Sequence, residues 1–246
     1  MYVSFRWRDT LREFSFALSF SLSLLPLWFI IYSNPSSGGD TALAIGRMWQ
    51  YFGVLAGVLA GMPIGSPGMG ANTGAVSSDF VFTRPLSRKY LAWMGWAIGV
   101  VEVFAIIAAM ILITAGLLWY QQGFYWWYWP PNGQQGLVLD IPLQLASVPV
   151  FALVVYTATY FASVLTRRRS IAITLTLGLG AVYQLVASKV AWAHAHLPEI
   201  LVTPYHDVLT PHLHYVMAAL GGMILWIICA FLFVYAAQLV FERSEL

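Results

Sequence analysis

Long apolar runs separated by short polar stretches are the main feature of the chain. Six runs are long enough for the roughly 20-residue helix that crosses a bilayer. Their apolarity is continuous rather than alternating, which favours helices over half-buried strands. The predicted spans cover about residues 14–32, 42–65, 90–120, 141–165, 171–188 and 215–241. The pattern therefore predicts an all-α membrane protein with six transmembrane helices in a single transmembrane domain, residues 1–246.

The composition excludes an ordinary soluble domain. Hydrophobic residues make up 60% of the 246 residues and charged residues only 9%, whereas a soluble domain carries about 25% charged residues. So few charges cannot cover the surface of a soluble fold of this size, but a bilayer solvates apolar side chains directly. The single cysteine, Cys229, lies inside an apolar run and excludes a disulfide within the chain.

Lysine and arginine are concentrated in every second segment outside the spans, as a six-span chain requires. Ten of the twelve lie on one predicted side, and only Arg47 and Lys189 on the other. The ten are Arg6, Arg8, Arg12, Arg84, Arg88, Lys89, Arg167, Arg168, Arg169 and Arg243. Cytoplasmic loops carry such an excess of cations. We therefore expect a multi-pass protein of the cell (inner or plasma) membrane with both termini in the cytoplasm.

Two segments outside the spans have the composition of a membrane interface. Residues 1–13 fit an interfacial helix, in which Phe5 and Leu11 face lipid and the charged residues stay near the headgroups. The run from Trp119 to Trp129 is rich in aromatic residues and predicts an anchor at the outer headgroup level. A substrate-contacting aromatic surface is the alternative interpretation of that run.

The loop between spans two and three carries the strongest hint of function. It is rich in glycine at first, and its second half places Phe80 and Phe82 ahead of a stop at Pro85, followed by Arg88 and Lys89. Exposed aromatic residues beside cations suit docking into a groove of a soluble partner. A basic juxtamembrane loop that only fixes the topology is the alternative.

The segment Thr83–Arg88 reads Thr-Arg-Pro-Leu-Ser-Arg. It resembles the (S/T)-(R/L)-P-(V/I/L)-S-R segment of the ABC type-2 exporter permease family. The order of the predicted elements along the chain also resembles that of the family, and the ending Phe241–Glu245 resembles the family's C-terminal ending. The resemblance implies a cytoplasmic coupling helix between spans two and three, and re-entrant outer helices between spans five and six. By this resemblance, the residues that couple the chain to an ATPase are Asp79, Phe80, Phe82, Thr83, Arg84, Pro85, Ser87 and Arg88.

The function implied by this resemblance is that of a permease subunit of an ATP-driven ABC exporter. The chain would form half of a translocation pathway and pair with a second copy or a homologue. It contains no G-x-x-x-x-G-K-[ST] motif, so ATP and Mg²⁺ are expected in a separate ABC nucleotide-binding subunit. We expect membrane lipid as a further partner, no nucleic acid, and no cofactor bound by this chain.

Glu102 is the only acid well inside a predicted span. At 1.5 Å per residue it lies about 18 Å beyond Tyr90, near the middle of the membrane. An acid at this depth predicts a function in the pathway. A hydrogen-bonded residue at the interface with a second subunit is the alternative.

All five histidines lie between the last two predicted spans. They are His194, His196, His206, His212 and His214. The two His-x-His pairs, His194 with His196 and His212 with His214, have the chemistry of a Zn²⁺ or Cu²⁺ site. Spacing by two places both imidazoles on one side only in an extended segment. We favour solvated polar gate residues, with a metal site as the alternative.

Other classes of function remain beside the exporter. An intramembrane enzyme is not expected, because the chain has no H-E-x-x-H, and Ile64–Gly68 lacks the first glycine of G-x-S-x-G. An ABC-linked membrane sensor or scaffold is one alternative, and a metal-handling membrane protein that uses His194–His214 is another.

Gly57-x-x-x-Gly61 permits close helix contact, and Gly178 and Gly180 permit a similar approach in span five.

Overall fold

A computed structural model of the chain describes residues 57–66, 88–122, 140–189 and 212–243, and these residues are helical apart from short turns. The helices are α1 (57–65), α2 (Arg88–Gln122), α3 (Asp140–Thr166), α4 (Arg169–Lys189) and α5 (His212–Arg243). For this part of the chain the predicted all-α class is confirmed.

Four of the helices are long and apolar enough to cross a membrane. The stretches that meet this condition are Trp93–Leu112, Leu145–Thr166, Arg169–Ala187 and Val216–Phe241. They correspond to predicted spans three to six, and each helix extends one to three residues beyond its predicted span at either end. Helix α1 lies in the last part of the predicted second span. The predicted first span and the interfacial helix 1–13 lie outside the described residues, so the count of six stays a prediction.

Helix α3 is the centre of the packing. It contacts α1, α2, α4 and α5, and α2 also contacts α5. The main core cluster consists of Ala60, Ile64, Val103, Ile106, Ile107, Met110, Val148, Ala152 and Tyr156. Buried hydroxyls of α3 donate to carbonyls of their own helix, as Thr157 does to Leu153 O at 2.9 Å and Thr159 to Val155 O at 2.7 Å. Such bonds satisfy polar side chains without a partner from outside the helix.

The helices alternate in direction along the chain. Helix α1 runs parallel to α3, because Gly57 lies against Phe151 and Gly65 lies against Thr159. Helix α4 runs antiparallel to α3, since only a two-residue turn joins the two packed helices. Helix α2 runs antiparallel to α5, because Trp93 meets Gln238 whereas Trp96, three residues later, meets Phe231.

This alternation gathers the cations at one end of the described helices. Helices α2 and α4 begin there, and α3 and α5 end there. The six cations at this end, called here the basic end, are Arg88, Lys89, Arg167, Arg168, Arg169 and Arg243. Lys189, at the opposite end, is the seventh lysine or arginine of the described residues. The one-sided distribution predicted for these seven cations is therefore present.

Helices α4 and α5 expose most of their surface. Only 11% of the span in α4 and 6% of the span in α5 is buried, against 56% of the span in α3. Large apolar side chains dominate the exposed surface of both helices, including Leu177, Leu179, Val182, Ile224, Leu232 and Tyr235.

Candidate functional site

One face of α1 is made of glycines that lie directly on the backbone of α3. A Cβ added at Gly61 would lie 2.9 Å from the backbone nitrogen of Tyr156 and 3.0 Å from the carbonyl oxygen of Ala152. A Cβ added at Gly65 would lie 2.7 Å from the carbonyl oxygen of Tyr156. Because only hydrogen atoms fit between the two backbones, the helices approach as closely as small-residue interfaces in membranes allow.

The predicted close approach at Gly57-x-x-x-Gly61 is confirmed, and the face continues one turn further to Gly65. A Cβ at Gly57 would lie 2.6 Å from the ring of Phe151. The similar approach suggested for Gly178 and Gly180 is not seen among the described residues, where neither has a neighbouring atom within 4 Å of an added Cβ. The spacing differs between the two cases, because glycines four residues apart share one face of a helix, whereas Gly178 and Gly180 are two residues apart and lie on different sides of α4.

Hydroxyl groups fix the end of α1 to α3. The Ser163 hydroxyl lies 2.8 Å from Tyr160 O and 3.3 Å from Gly65 O, so its single hydrogen is shared between the two helices. Ser66 is fully buried. Its backbone N–H donates to Met62 O at 2.9 Å, and its hydroxyl donates to Pro63 O at 3.0 Å. The last turn of α1 is therefore held in place immediately before residues 67–87.

Tyr156 connects the same part of α3 to α2. Its side chain is 1% exposed, and its hydroxyl donates to the carbonyl oxygen of Trp96 at 3.0 Å. The phenol ring lies against Gly99, where an added Cβ would overlap the ring and its hydroxyl oxygen. Tyr156 thus contacts α1 through its backbone and α2 through its side chain.

A second polar contact joins α2 to α5. The indole Nε1 of Trp93 donates to Oε1 of Gln238 at 2.9 Å, and Gln238 is 7% exposed. Trp93 packs edge-on against Trp96 with ring centroids 5.4 Å apart, and Trp96 lies 6.0 Å from Phe231 by the same measure. The Nε1 of Trp96 is buried and has no hydrogen-bond partner within the described ranges.

These contacts make α1, α2 and α3 one packed unit around the middle of the span in α3. Helices α1 and α2 are the described helices on either side of residues 67–87, and both meet α3 at Tyr156. A unit packed in this way transmits displacement, because close backbone contact leaves the helices little freedom to slide separately. We take this junction, called here the Tyr156 junction, as the candidate functional site.

Arg88 is the one predicted coupling residue that the structure describes, and it is the first residue of α2. The other coupling predictions, Asp79, Phe80, Phe82, Thr83, Arg84, Pro85 and Ser87, lie outside the described residues. So do the coupling helix and the re-entrant outer helices. The structure therefore locates the helix that leaves the predicted coupling segment but not the segment itself.

Glu102 lies midway along the apolar stretch of α2 and is half-buried. It is placed at the border between the buried face that contains Val103 and Ile106 and the exposed face that contains Val101 and Ala105. A border position suits both a pathway residue and a residue at a subunit interface, so its function stays a prediction.

The metal hypothesis falls mainly outside the described residues. His212 and His214 lie in the first turn of α5, whereas His194, His196 and His206 lie outside the described ranges. Among the residues that the structure describes, no group of three His, Cys, Asp or Glu side chains could hold a metal ion. The histidine pairs remain a prediction.

The sequence pattern missed the residues at the centre of the junction. Tyr156 is one of several aromatic residues in an apolar run and has no distinctive local signature. Gly99 did have one, because Gly95-x-x-x-Gly99 is a spacing that permits close helix contact. Gln238 offered a signal, because an amide inside a long apolar helix needs a hydrogen-bond partner. The partner itself, Trp93, lies 145 positions away and could not be identified from spacing.

Comparison with known proteins adds no relative. No family model matches the chain, and neither the curated proteins nor the solved structures give a match.

Proposed function

We propose that this chain is the membrane subunit of an ATP-driven ABC exporter. It forms half of a translocation pathway with a second copy or a homologue. A separate nucleotide-binding subunit holds ATP and Mg²⁺, and closure of that subunit moves the spans of this chain. The basic end faces the cytoplasm, as the cation distribution favours.

The observation that carries this proposal is that residues 67–87 connect, along the chain, two helices that both pack on α3 at the Tyr156 junction. The segment that resembles the coupling region of ABC type-2 permeases, Thr83–Arg88, leads into α2 at Arg88. Helices α1 and α2 are both held on α3, so a displacement applied between them acts on three helices together. Coupling to an ATPase needs this property, because a force applied to a loosely attached loop would move only that loop.

The composition of the exposed surface supports the assignment of a membrane subunit. Helices α4 and α5 present large apolar side chains to their surroundings, which a bilayer and a second permease subunit both accommodate. The chain has no phosphate-binding lysine motif of its own. Its contribution to the reaction cycle is therefore a conformational change driven by the partner.

Isolation of the complex tests the proposal. The full-length chain, tagged and extracted from its native membranes in mild detergent, is expected to retain an ATPase subunit with a G-x-x-x-x-G-K-[ST] motif, identified by mass spectrometry. The double substitution Phe80→Ala/Phe82→Ala is expected to lose that subunit and the ATPase activity of the complex, because it removes the predicted aromatic docking contacts.

Phe104→Ala is the matched control. Phe104 is 40% exposed on α2, away from the predicted coupling segment, and its removal is expected to leave the ATPase bound. A chain that purifies without an ATPase, or an ATPase whose retention is the same in the Phe80/Phe82 variant, would contradict the proposal.

A further inference from the structure

The turn between α3 and α4 carries three consecutive arginines, Arg167, Arg168 and Arg169, and all three are exposed. The apolar stretch Leu145–Thr166 ends directly before them, and the stretch Arg169–Ala187 begins at the third. No linker remains to carry these side chains away from the membrane surface. In a bilayer their guanidinium groups lie at the depth of the lipid headgroups.

The backbone of this turn is fixed by hydrogen bonds. Arg167 has a φ of 55°, and its N–H donates to Ser163 O at 2.9 Å. The Thr166 hydroxyl lies 2.8 Å from Ala162 O and 3.2 Å from Arg168 O, and it accepts from the Arg168 N–H at 3.4 Å. Glycine is the usual residue in this left-handed position at a helix end. Because these hydrogen bonds fix the turn, the three arginine side chains project from a defined backbone.

The charge around the turn is strongly one-sided. The basic end contains six cations, and Arg243 on α5 is exposed there as well. Among the described residues the only acid at this end is Glu242, since Asp140 begins α3 at the opposite end and Glu102 lies midway along α2. An anion is the ligand that complements this surface.

Apolar side chains continue the surface below the arginines. Ile171 and Leu175, in the first two turns of α4, are 40% and 41% exposed. A cationic turn directly above exposed aliphatic side chains matches a molecule with an anionic head and apolar chains. A soluble anion or an acidic protein would use only the first of these two features.

We propose that the Arg167–Arg169 turn binds the headgroup phosphate of an anionic phospholipid, whose acyl chains lie along the exposed face of α4. Guanidinium groups bind phosphate oxygens in pairs of parallel hydrogen bonds. Basic surfaces at the cytoplasmic ends of transmembrane helices attract anionic headgroups in the same way. The site does not depend on the exporter function, because it needs only the membrane position of α3 and α4.

Lipid binding to the purified full-length chain tests the proposal. Native mass spectrometry in detergent compares phosphatidylglycerol with phosphatidylcholine on the wild type and on Arg167→Gln/Arg168→Gln/Arg169→Gln. The wild type is expected to bind phosphatidylglycerol in preference. The triple variant is expected to lose this preference, with an affinity lower by roughly fivefold for each arginine removed.

Two further variants separate the site from general effects of charge. Lys189→Gln removes a cation from the opposite end and is expected to keep the wild-type preference. Arg167→Lys/Arg168→Lys/Arg169→Lys keeps the charge that orients the spans and is expected to keep a weaker preference, because lysine lacks the paired hydrogen bonds. Equal binding of the two lipids by the wild type, or an unchanged preference in the triple glutamine variant, would overturn the proposal. So would displacement of the lipid by inorganic phosphate, which would indicate a soluble anion.

Discussion

At the scale of single residues, Gly61 shows how little space separates α1 from α3. Gly61→Ala is expected to destabilise the protein by about 1–3 kcal/mol, the usual cost of overpacking a closely fitted core. The added methyl group would meet backbone atoms of Tyr156 and Ala152 at 2.9 and 3.0 Å. Backbone atoms cannot rotate away as a side-chain end can. The effect would be measured as a lower Tm in detergent, with unfolding detected as loss of the monodisperse peak on size-exclusion chromatography after heating.

Gly178→Ala is the matched control for this substitution. Both glycines lie inside helices, but among the described residues nothing lies within 4 Å of a Cβ added at Gly178. The control is expected to leave Tm unchanged or to raise it slightly, because alanine is the better helix former. If Gly61→Ala were as stable as Gly178→Ala, the close contact between α1 and α3 would be wrong.

At the scale of helices, the long apolar runs predicted the described elements well. The ends of α3 lie within one residue of the predicted span, and those of α5 within three. Continuous apolarity indicates where such helices lie, because a helix needs roughly 20 apolar residues to cross the bilayer. The partner of each face does not follow from the same signal. Gly61 is packed and Gly178 is not, although each lies in a comparable apolar helix.

The contact between α2 and α5 gives a prediction at this scale. A double-mutant cycle of Trp93→Phe and Gln238→Leu is expected to show a coupling free energy of about 0.6 kcal/mol, the average for interhelical hydrogen bonds in a membrane protein. Each single substitution removes one end of the 2.9 Å bond from Trp93 Nε1 to Gln238 Oε1. Equilibrium unfolding of the four proteins in mixed micelles would give the free energies.

A second cycle tests whether this coupling is specific. Leu225 lies on α5 and is 46% exposed, more than three helical turns before Gln238. Trp93→Phe and Leu225→Ala are therefore expected to have additive effects on the free energy of unfolding, as distant sites do. Coupling of equal size in both cycles would show that the effect is global and that the hydrogen bond is not its source.

At the scale of the whole molecule, the direction of the helices and the positions of the cations are independent observations that agree. The contacts of Trp93 and Trp96 with α5, and the two-residue turn between α3 and α4, set the alternation of direction. The cations then fall at one end without further assumption. The sequence predicts that the proposed coupling segment lies at this end, because charge determines orientation. The contacts of that segment could not be predicted, since the proposed ATPase is a separate chain.

This arrangement predicts opposite accessibility for the two ends of α4. The only native cysteine is Cys229, so Cys229→Ala provides a background for the single substitutions Ser170→Cys and Lys189→Cys. Both positions are exposed, and Ser170 lies beside the three arginines without replacing any of them. In intact cells a membrane-impermeant maleimide is expected to label Lys189→Cys. Ser170→Cys is expected to react only after the membrane is made permeable, because cation-rich loops stay in the cytoplasm.

Labelling of both positions from one side would show that α4 does not cross the membrane. The reverse order of labelling would place the basic end outside, where no cytoplasmic ATPase could reach residues 67–87, and would exclude the proposed coupling.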